Sequence, residues 1–152
     1  MADELKEGCA GPDGAQPAVE HKPVPTKGGL VAYLQVGGAN KAAAFYERAF
    51  GATIVNSYPE DDQGRTMHVH LYVNGTSLML SDPYPEHGYP LMAPQAFTLT
   101  LMLDNNIDEV FQRAVEAGAE IVMPVADTFW GARYGQLRDP FGVLWAMNQE
   151  KR

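Results

Sequence analysis

Between residues 69 and 81, apolar and polar side chains alternate with a period of two. Val69, Leu71, Val73, Leu78 and Leu80 share one parity, and His68, His70, Tyr72, Ser77, Met79 and Ser81 share the other. Successive side chains of an extended chain point to opposite faces, so the first set is predicted to pack beneath a covering layer and the second to line the opposite face. Asn74-Gly75 between the two runs is a two-residue hairpin signal. That turn pairs Tyr72 with Ser77 and His70 with Met79, so both strands agree on the facing. Other stretches follow the helical spacing instead. Ala42, Phe45, Tyr46 and Ala49 recur along NKAAAFYERAFG, with Asn40 as the predicted N-cap and Gly51 just past the end. IDEVFQRAVEAG reads the same way, with Asn106 as cap, Asp108 and Glu109 at its positive end and Gly118 as stop.

Sliding the chain by 67 residues superimposes these signals. Leu34 falls on Leu101, Val36 on Leu103, Gly51 and Ala52 on Gly118 and Ala119, and Ile54 and Val55 on Ile121 and Val122. Gly75 meets Gly142, Leu78 meets Trp145 and Leu80 meets Met147, all without a gap. Each half, about 29–82 and about 96–149, runs β-rich segment (LVAYLQV or FTLTLML), helix, strand (TIVNSY or EIVMPV) and hairpin. The second hairpin turns at Asp139-Pro140-Phe141-Gly142. One such half is marginal alone, because a small sheet with one helix buries too little apolar surface. The predicted fold is therefore α+β: two βαβββ modules forming a curved eight-stranded mixed sheet round a concave cleft, with the helices outside.

Alternation assigns the cleft lining. Val31, Tyr33 and Gln35 face inward and Ala32, Leu34 and Val36 outward. In the fifth strand Thr98, Thr100 and Met102 line the cleft, while Phe97, Leu99, Leu101 and Leu103 are core. In the last strand Leu144, Ala146 and Asn148 face in, with Trp145 and Met147 in the core. The strand carrying Tyr134, Gln136 and Arg138 stays ambiguous, since a bulge near the turn flips its parity. His68 and His70 lie two residues apart, about 7 Å on one strand face, which suits polar lining, proton transfer or a shared metal. Phe129 and Trp130 sit in a glycine-containing loop followed by Arg133 and Tyr134. They read either as a stacking wall with an arginine for an anionic group, or as a plug or dimer contact. Gln35 offers a donor and an acceptor to a ligand carbonyl. The tyrosine- and proline-rich stretch 81–95 is predicted to join the halves rather than act as a lid. No glycine-rich phosphate loop or Ser-His-Asp signature is present, and GARYGQ is not a nucleotide fingerprint.

Composition narrows the classes without naming one. A net charge of −8 argues against nucleic acid, whose phosphates demand a basic face. No apolar run approaches the roughly 20 residues of a membrane span, and the first residues lack a secretion-signal pattern. Cys9 is the single cysteine, so no internal disulfide forms and the expected location is the cytoplasm. Residues 1–28 hold four of the 11 prolines and no periodicity, and are read as an extended N-terminal arm preceding one domain over 29–152.

The paired βαβββ halves, FYERAFGA, AVEAGAEIVMP and RDPFG together resemble the glyoxalase/bleomycin-resistance/dioxygenase superfamily, also called vicinal oxygen chelate. LMLSDPYPEHGY and TFWGARYGQLRDPFG further resemble its phosphonate-operon-type branch. The likeness covers about 29–149. It implies a homodimer with a small-molecule cleft. Metal-dependent members of the family carry four His, Gln or Glu ligands; carried over, those positions fall on Val31, Met79, Thr98 and Ala146, and the 67-residue offset relates them in pairs. None is a ligand for a divalent ion. The expected function is therefore metal-independent binding of a small, drug-like or aromatic molecule, by sequestration or with metal-free acid–base chemistry at His70 and His68. Tyr33, Gln35, Tyr72, Met79, Thr98, Thr100, Trp130, Arg133 and Tyr134 are the expected ligand-binding residues, and no cofactor is expected. The alternative is a lyase, isomerase or dioxygenase using a divalent metal on relocated ligands that include His68 and His70.

Overall fold

The structure, a computed structural model, describes residues 23–152. Cys9 and most of the predicted arm lie outside the described residues. The chain runs β1 (Ala32–Gln35), α1 (Ala39–Phe50), β2 (Thr53–Ser57), β3 (Val69–Val73), β4 (Thr76–Ser81), β5 (Leu99–Leu103), α2 (Ile107–Ala117), β6 (Glu120–Asp127), β7 (Ala132–Arg138) and β8 (Leu144–Glu150). Each module forms a four-stranded mixed sheet, ordered β1-β4-β3-β2 and β5-β8-β7-β6. This is the predicted α+β arrangement of two βαβββ modules, with a curved, open sheet surface and no closed barrel. No helix among the described residues is long and apolar enough to cross a membrane.

The alternation read from sequence matches the burial. Val69, Leu71 and Leu80 are fully enclosed, and Leu78 and Val73 nearly so. The Asn74-Gly75 turn has both residues at positive φ (49° and 78°), as a two-residue hairpin with right-handed strand twist requires. It sets Tyr72 opposite Ser77 and His70 opposite Met79. In module 2, Leu101, Trp145 and Met147 are buried as predicted. Phe97 is not: β5 begins only at Leu99, and Phe97 is 42% exposed in the preceding linker. The ambiguous strand is also resolved. Gly135 and Leu137 face α2, and a Cβ on Gly135 would lie 2.8 Å from the Phe111 ring. Tyr134 and Gln136 therefore share the opposite face, where the Gln136 amide donates to the Tyr134 hydroxyl at 2.9 Å.

Both helix starts differ from the sequence reading. Asn40 does not cap α1; the cap position is Gly38, in the left-handed region at φ 94°, and the Asn40 amide donates to Glu60 instead. The N–H groups of Gly38 and Ala39 are taken by Asp82 Oδ1, at 2.8 and 3.2 Å, from just beyond the end of β4. Asn106 does occupy the α2 cap position, but its side chain makes no capping bond. The Ile107 N–H is accepted by Gln149, the residue 67 positions after Asp82. Both modules thus satisfy a helix N-terminus from the end of their fourth strand or the residue just after it, a long-range substitute for the local cap.

The modules are joined through α1. Arg113 of α2 donates to the Arg48 and Glu47 carbonyls at the C-terminal end of α1, where the helix dipole favours a cation. Phe50 packs against Trp145 at a tilt, 4.5 Å between ring centroids, and Phe45 meets Phe141 edge-on. At the centre lies Asp139, 4% exposed. Its Oδ2 accepts from the Tyr46 hydroxyl at 2.6 Å and the Trp145 indole at 3.0 Å. Its Oδ1 accepts the Phe141 and Val143 N–H groups, both at 2.9 Å. Burial, followed by the adjacent carboxylate, pushes the Tyr46 phenol far up, so it remains a donor at any working pH.

Candidate functional site

The module 1 sheet turns an uninterrupted polar and aromatic surface away from its helix. Tyr33 is register partner to Met79, Met79 to His70, and His70 to Asn56, which ranks these side chains across four strands. Tyr72 pairs with Ser77 and Thr53 at one end of that row. His68 lies at the other, with its ring 5.7 Å from Tyr33 and 5.3 Å from Tyr58. Gln35, opposite Ser81, completes the face.

The two histidines sit in different surroundings. His70 is 3% exposed, and its Nε2 lies 2.7 Å from Ser77 Oγ, which also accepts the Lys27 N–H at 2.8 Å. Its ring packs edge-on to Tyr72. His68 is half-buried, with Nδ1 3.0 Å from the Tyr33 hydroxyl, and that same oxygen is 3.0 Å from the Met67 carbonyl. A phenol has one hydrogen, and the carbonyl can only accept it. Both contacts are hydrogen bonds only when His68 carries its proton on Nδ1, which leaves the Nε2 lone pair unused by Tyr33. Burial pushes both imidazoles below the usual histidine range, and His70 adds a repulsion that lowers His68 further. Both are neutral near pH 7 as a result.

A depressed histidine stays neutral in the folded chain while its unfolded counterpart takes up a proton below about pH 6.5. Folding stability should therefore fall as pH drops from about 6.5, by at most about 1.4 kcal/mol per pH unit for each imidazole. Urea melts between about pH 7 and 5 should show this slope, and His70→Gln should flatten it. An unchanged slope in that variant would mean that His70 does not carry the effect.

Module 2 presents a second cluster. Thr100 pairs with Ala146, Ala146 with Gln136, Met102 with Asn148, and Asn148 with Tyr134. Trp130 packs edge-on to Tyr134 at 5.6 Å, while Phe129 at the hairpin tip is 98% exposed. Arg133 does not join them. Adjacent strand residues point to opposite faces, and Arg133 is held on the helix side by Asp108 of α2 (2.7 Å) and Asp127 of β6 (2.9 Å). It thus lies apart from the Trp130–Tyr134 pair, engaged by two carboxylates.

Two cavities flank the edge strands. One of about 290 Å³ runs beside β1, with Tyr33, Gln35, Phe97 and Pro94 among its walls. Another of about 220 Å³ opens at the seam between the modules, bringing Ser77 together with Thr98 and Thr100. The stretch 81–95 lines the first of them through Met92, Pro94 and Gln95, and its beginning is tied to the loop before β3. Arg65 makes two hydrogen bonds to Glu86 and lies over the Tyr84 ring at 4.4 Å, while Asp82 Oδ2 accepts the Thr66 N–H.

The residues at the transferred ligand positions offer no metal site. Val31 and Thr98 lie just before β1 and β5, and Met79 and Ala146 lie within β4 and β8. A valine, a thioether, a hydroxyl and a methyl group make no donor set for a hard or borderline divalent ion. Nor do three His, Cys, Asp or Glu side chains converge elsewhere among the described residues.

The profile of the Glyoxalase/Bleomycin resistance protein/Dioxygenase superfamily matches residues 29–147. The chain belongs to that superfamily. An uncharacterised protein of Mycobacterium tuberculosis is 38% identical over 128 residues, covering 81% of this superfamily member and 75% of the relative. The crystal structure of a Pseudomonas aeruginosa protein superposes with a TM-score of 0.68 at 30% identity, over 81% of this chain and 98% of that one. A PhnB protein of Bacillus cereus shares the fold at 24% identity and a TM-score of 0.60, over 80% and 99% of the two chains. Within this superfamily member, the sequence reading overlooked Tyr58 and Lys27. Tyr58 follows a bulge between Ile54 and Asn56 that breaks simple alternation, and Lys27 lies in the aperiodic arm.

Proposed function

We propose that this superfamily member is a metal-independent small-molecule-binding protein whose ligand, a planar or aromatic compound, lies on the concave sheet face. The observation that carries the reading is the contrast on that face. The four family ligand positions hold Val31, Met79, Thr98 and Ala146, while Tyr33, Tyr58, His68, Tyr72, Trp130 and Tyr134 supply rings and hydrogen-bonding groups around them. Aromatic walls with a few placed polar groups suit the binding of a planar molecule. Met102, Phe97, Phe129 and Trp130 leave much apolar surface open to solvent, which supports a cleft completed by a second copy of the chain. Sequestration needs nothing more. The Nε2 lone pair of His68 also supports a second reading, metal-free proton abstraction from a bound ligand, for which half-buried His68 is more accessible than the enclosed His70.

The test combines metal analysis with a cleft-filling variant. Untagged protein is expected to hold less than about 0.1 metal ion per chain, before and after incubation with Zn²⁺, Ni²⁺, Mn²⁺ or Fe²⁺. The neutral fluorophore N-phenyl-1-naphthylamine should bind the native chain, and Met79→Trp should abolish that binding by filling the middle of the face. Stoichiometric metal that is lost on mutating His68 or His70 would replace this reading with a metal-dependent enzyme.

A further inference from the structure

We infer that the segment 23–29 is a built part of the module 1 face and that Lys27 is its anion-selecting residue, so that the ligand is an organic anion with an aromatic body. This rests on the binding reading above and adds the ligand's charge class. The segment is docked by main-chain bonds: the Lys27 N–H donates to Ser77 Oγ, and the Ser77 N–H donates to the Lys27 carbonyl at 2.9 Å. The Tyr72 hydroxyl donates to the Pro25 carbonyl at 2.5 Å. These bonds fix the backbone at the end of the row His68, His70, Tyr72 and hold the Lys27 ammonium 4.0 Å from the centre of the Tyr72 ring. A ring face attracts a cation but does not neutralise it.

The charge balance of the face then selects the ligand. The side chains that β1 to β4 turn to it are Tyr33, Gln35, Thr53, Asn56, His70, Tyr72, Ser77, Met79 and Ser81, with His68 and Tyr58 at the end of the row, and none is Asp or Glu. Asp82, close by in sequence, is spent on the N–H groups of Gly38, Ala39 and Thr66. No carboxylate among the described residues forms an ion pair with Lys27. In a chain of net charge −8, the described residues of this face therefore supply one fixed cation and no compensating anion. A sulfonate or carboxylate gains a charge-assisted partner there, whereas a cationic ligand meets like charge.

Two fluorophores with one ring system separate charge from shape: 1-anilinonaphthalene-8-sulfonate, an anion, and neutral N-phenyl-1-naphthylamine. The native chain should bind the sulfonate about tenfold more tightly, a preference that weakens with added salt. Lys27→Gln should remove the preference and its salt dependence while leaving the neutral probe unchanged, and Lys27→Arg should retain both. Equal affinity of the native chain for the two probes overturns the inference. So does a Lys27→Gln variant that keeps the preference or weakens both probes alike, since the lysine would then only shape the strap. Met79→Trp distinguishes the two levels. If it abolishes both probes while Lys27→Gln leaves the preference intact, the cleft stands and the charge assignment falls; if it affects neither probe, both fall.

Discussion

Replacing Asp139 by alanine is expected to destabilise the chain by about 4 kcal/mol, enough to lower Tm by roughly 10 °C. One carboxylate serves four donors from three parts of the structure: the α1 phenol, the β8 indole and two N–H groups of its own turn. Tyr46, Trp145 and Val143 are all at most 2% exposed, so solvent does not replace the carboxylate for three of the four donors that the substitution orphans. Each buried, unpaired donor costs about 1–3 kcal/mol, against a total stability of about 5–15 kcal/mol for a domain. Asparagine should rescue little. Its carbonyl can serve the two N–H groups, but its amide then faces the Trp145 indole, which has a hydrogen and no acceptor. Thermal melts of Asp139→Ala and Asp139→Asn are the measurement. An alanine variant within about 1 kcal/mol of the native chain would show that the four donors find other partners.

The second large effect is expected at Gly135. A Cβ there would stand 2.8 Å from Phe111 Cε2, 2.9 Å from Val125 Cγ2 and 3.1 Å from the Met123 carbonyl oxygen. The Phe111 ring is buried against the sheet, and the Met123 carbonyl belongs to β6, which pairs with β7 here. Gly135→Ala should cost about 2 kcal/mol and Gly135→Val about 3 kcal/mol or more, because packed interiors do not yield to added methyl groups. Phe111→Leu should recover part of the alanine penalty when the two changes are combined, since the shorter side chain vacates the nearest contact. Urea melts of the two single variants and the double variant measure that coupling. Strictly additive losses would place the strain in the Met123 backbone instead.

These two residues show where reading from sequence stops. Both stand in RYGQLRDPFG, a stretch legible as the end of a strand and a turn. That Gly135 must be glycine depends on the approach of α2, and that Asp139 must be a carboxylate depends on α1, 93 residues away in sequence at Tyr46. The helix caps follow the same logic. Asn40 has the chemistry of a local cap, but α1 starts before it, at Ala39, and Asp82 takes the Gly38 and Ala39 N–H groups across 43 to 44 positions. Arg133 reads as part of the loop after Trp130, but β7 starts at Ala132, and its bonds to Asp108 of α2 and Asp127 of β6 follow only from how that strand packs.

By itself, the sequence determined the two-module architecture, because a 67-residue repeat of strand and helix periods admits few other arrangements. It also determined the facing of β3 and β4, since a two-residue turn and strict alternation leave no freedom of register. The absence of metal ligands at the transferred positions was equally readable, being a matter of residue identity. Tertiary structure alone decided the rest: that Lys27 docks beside Tyr72, that the Tyr33 hydroxyl meets His68 Nδ1, and that Arg133 turns away to α2. Periodicity records which face of its own element a side chain occupies. Which atoms meet across elements depends on how the modules and the arm pack, and that carries no period for the sequence to display.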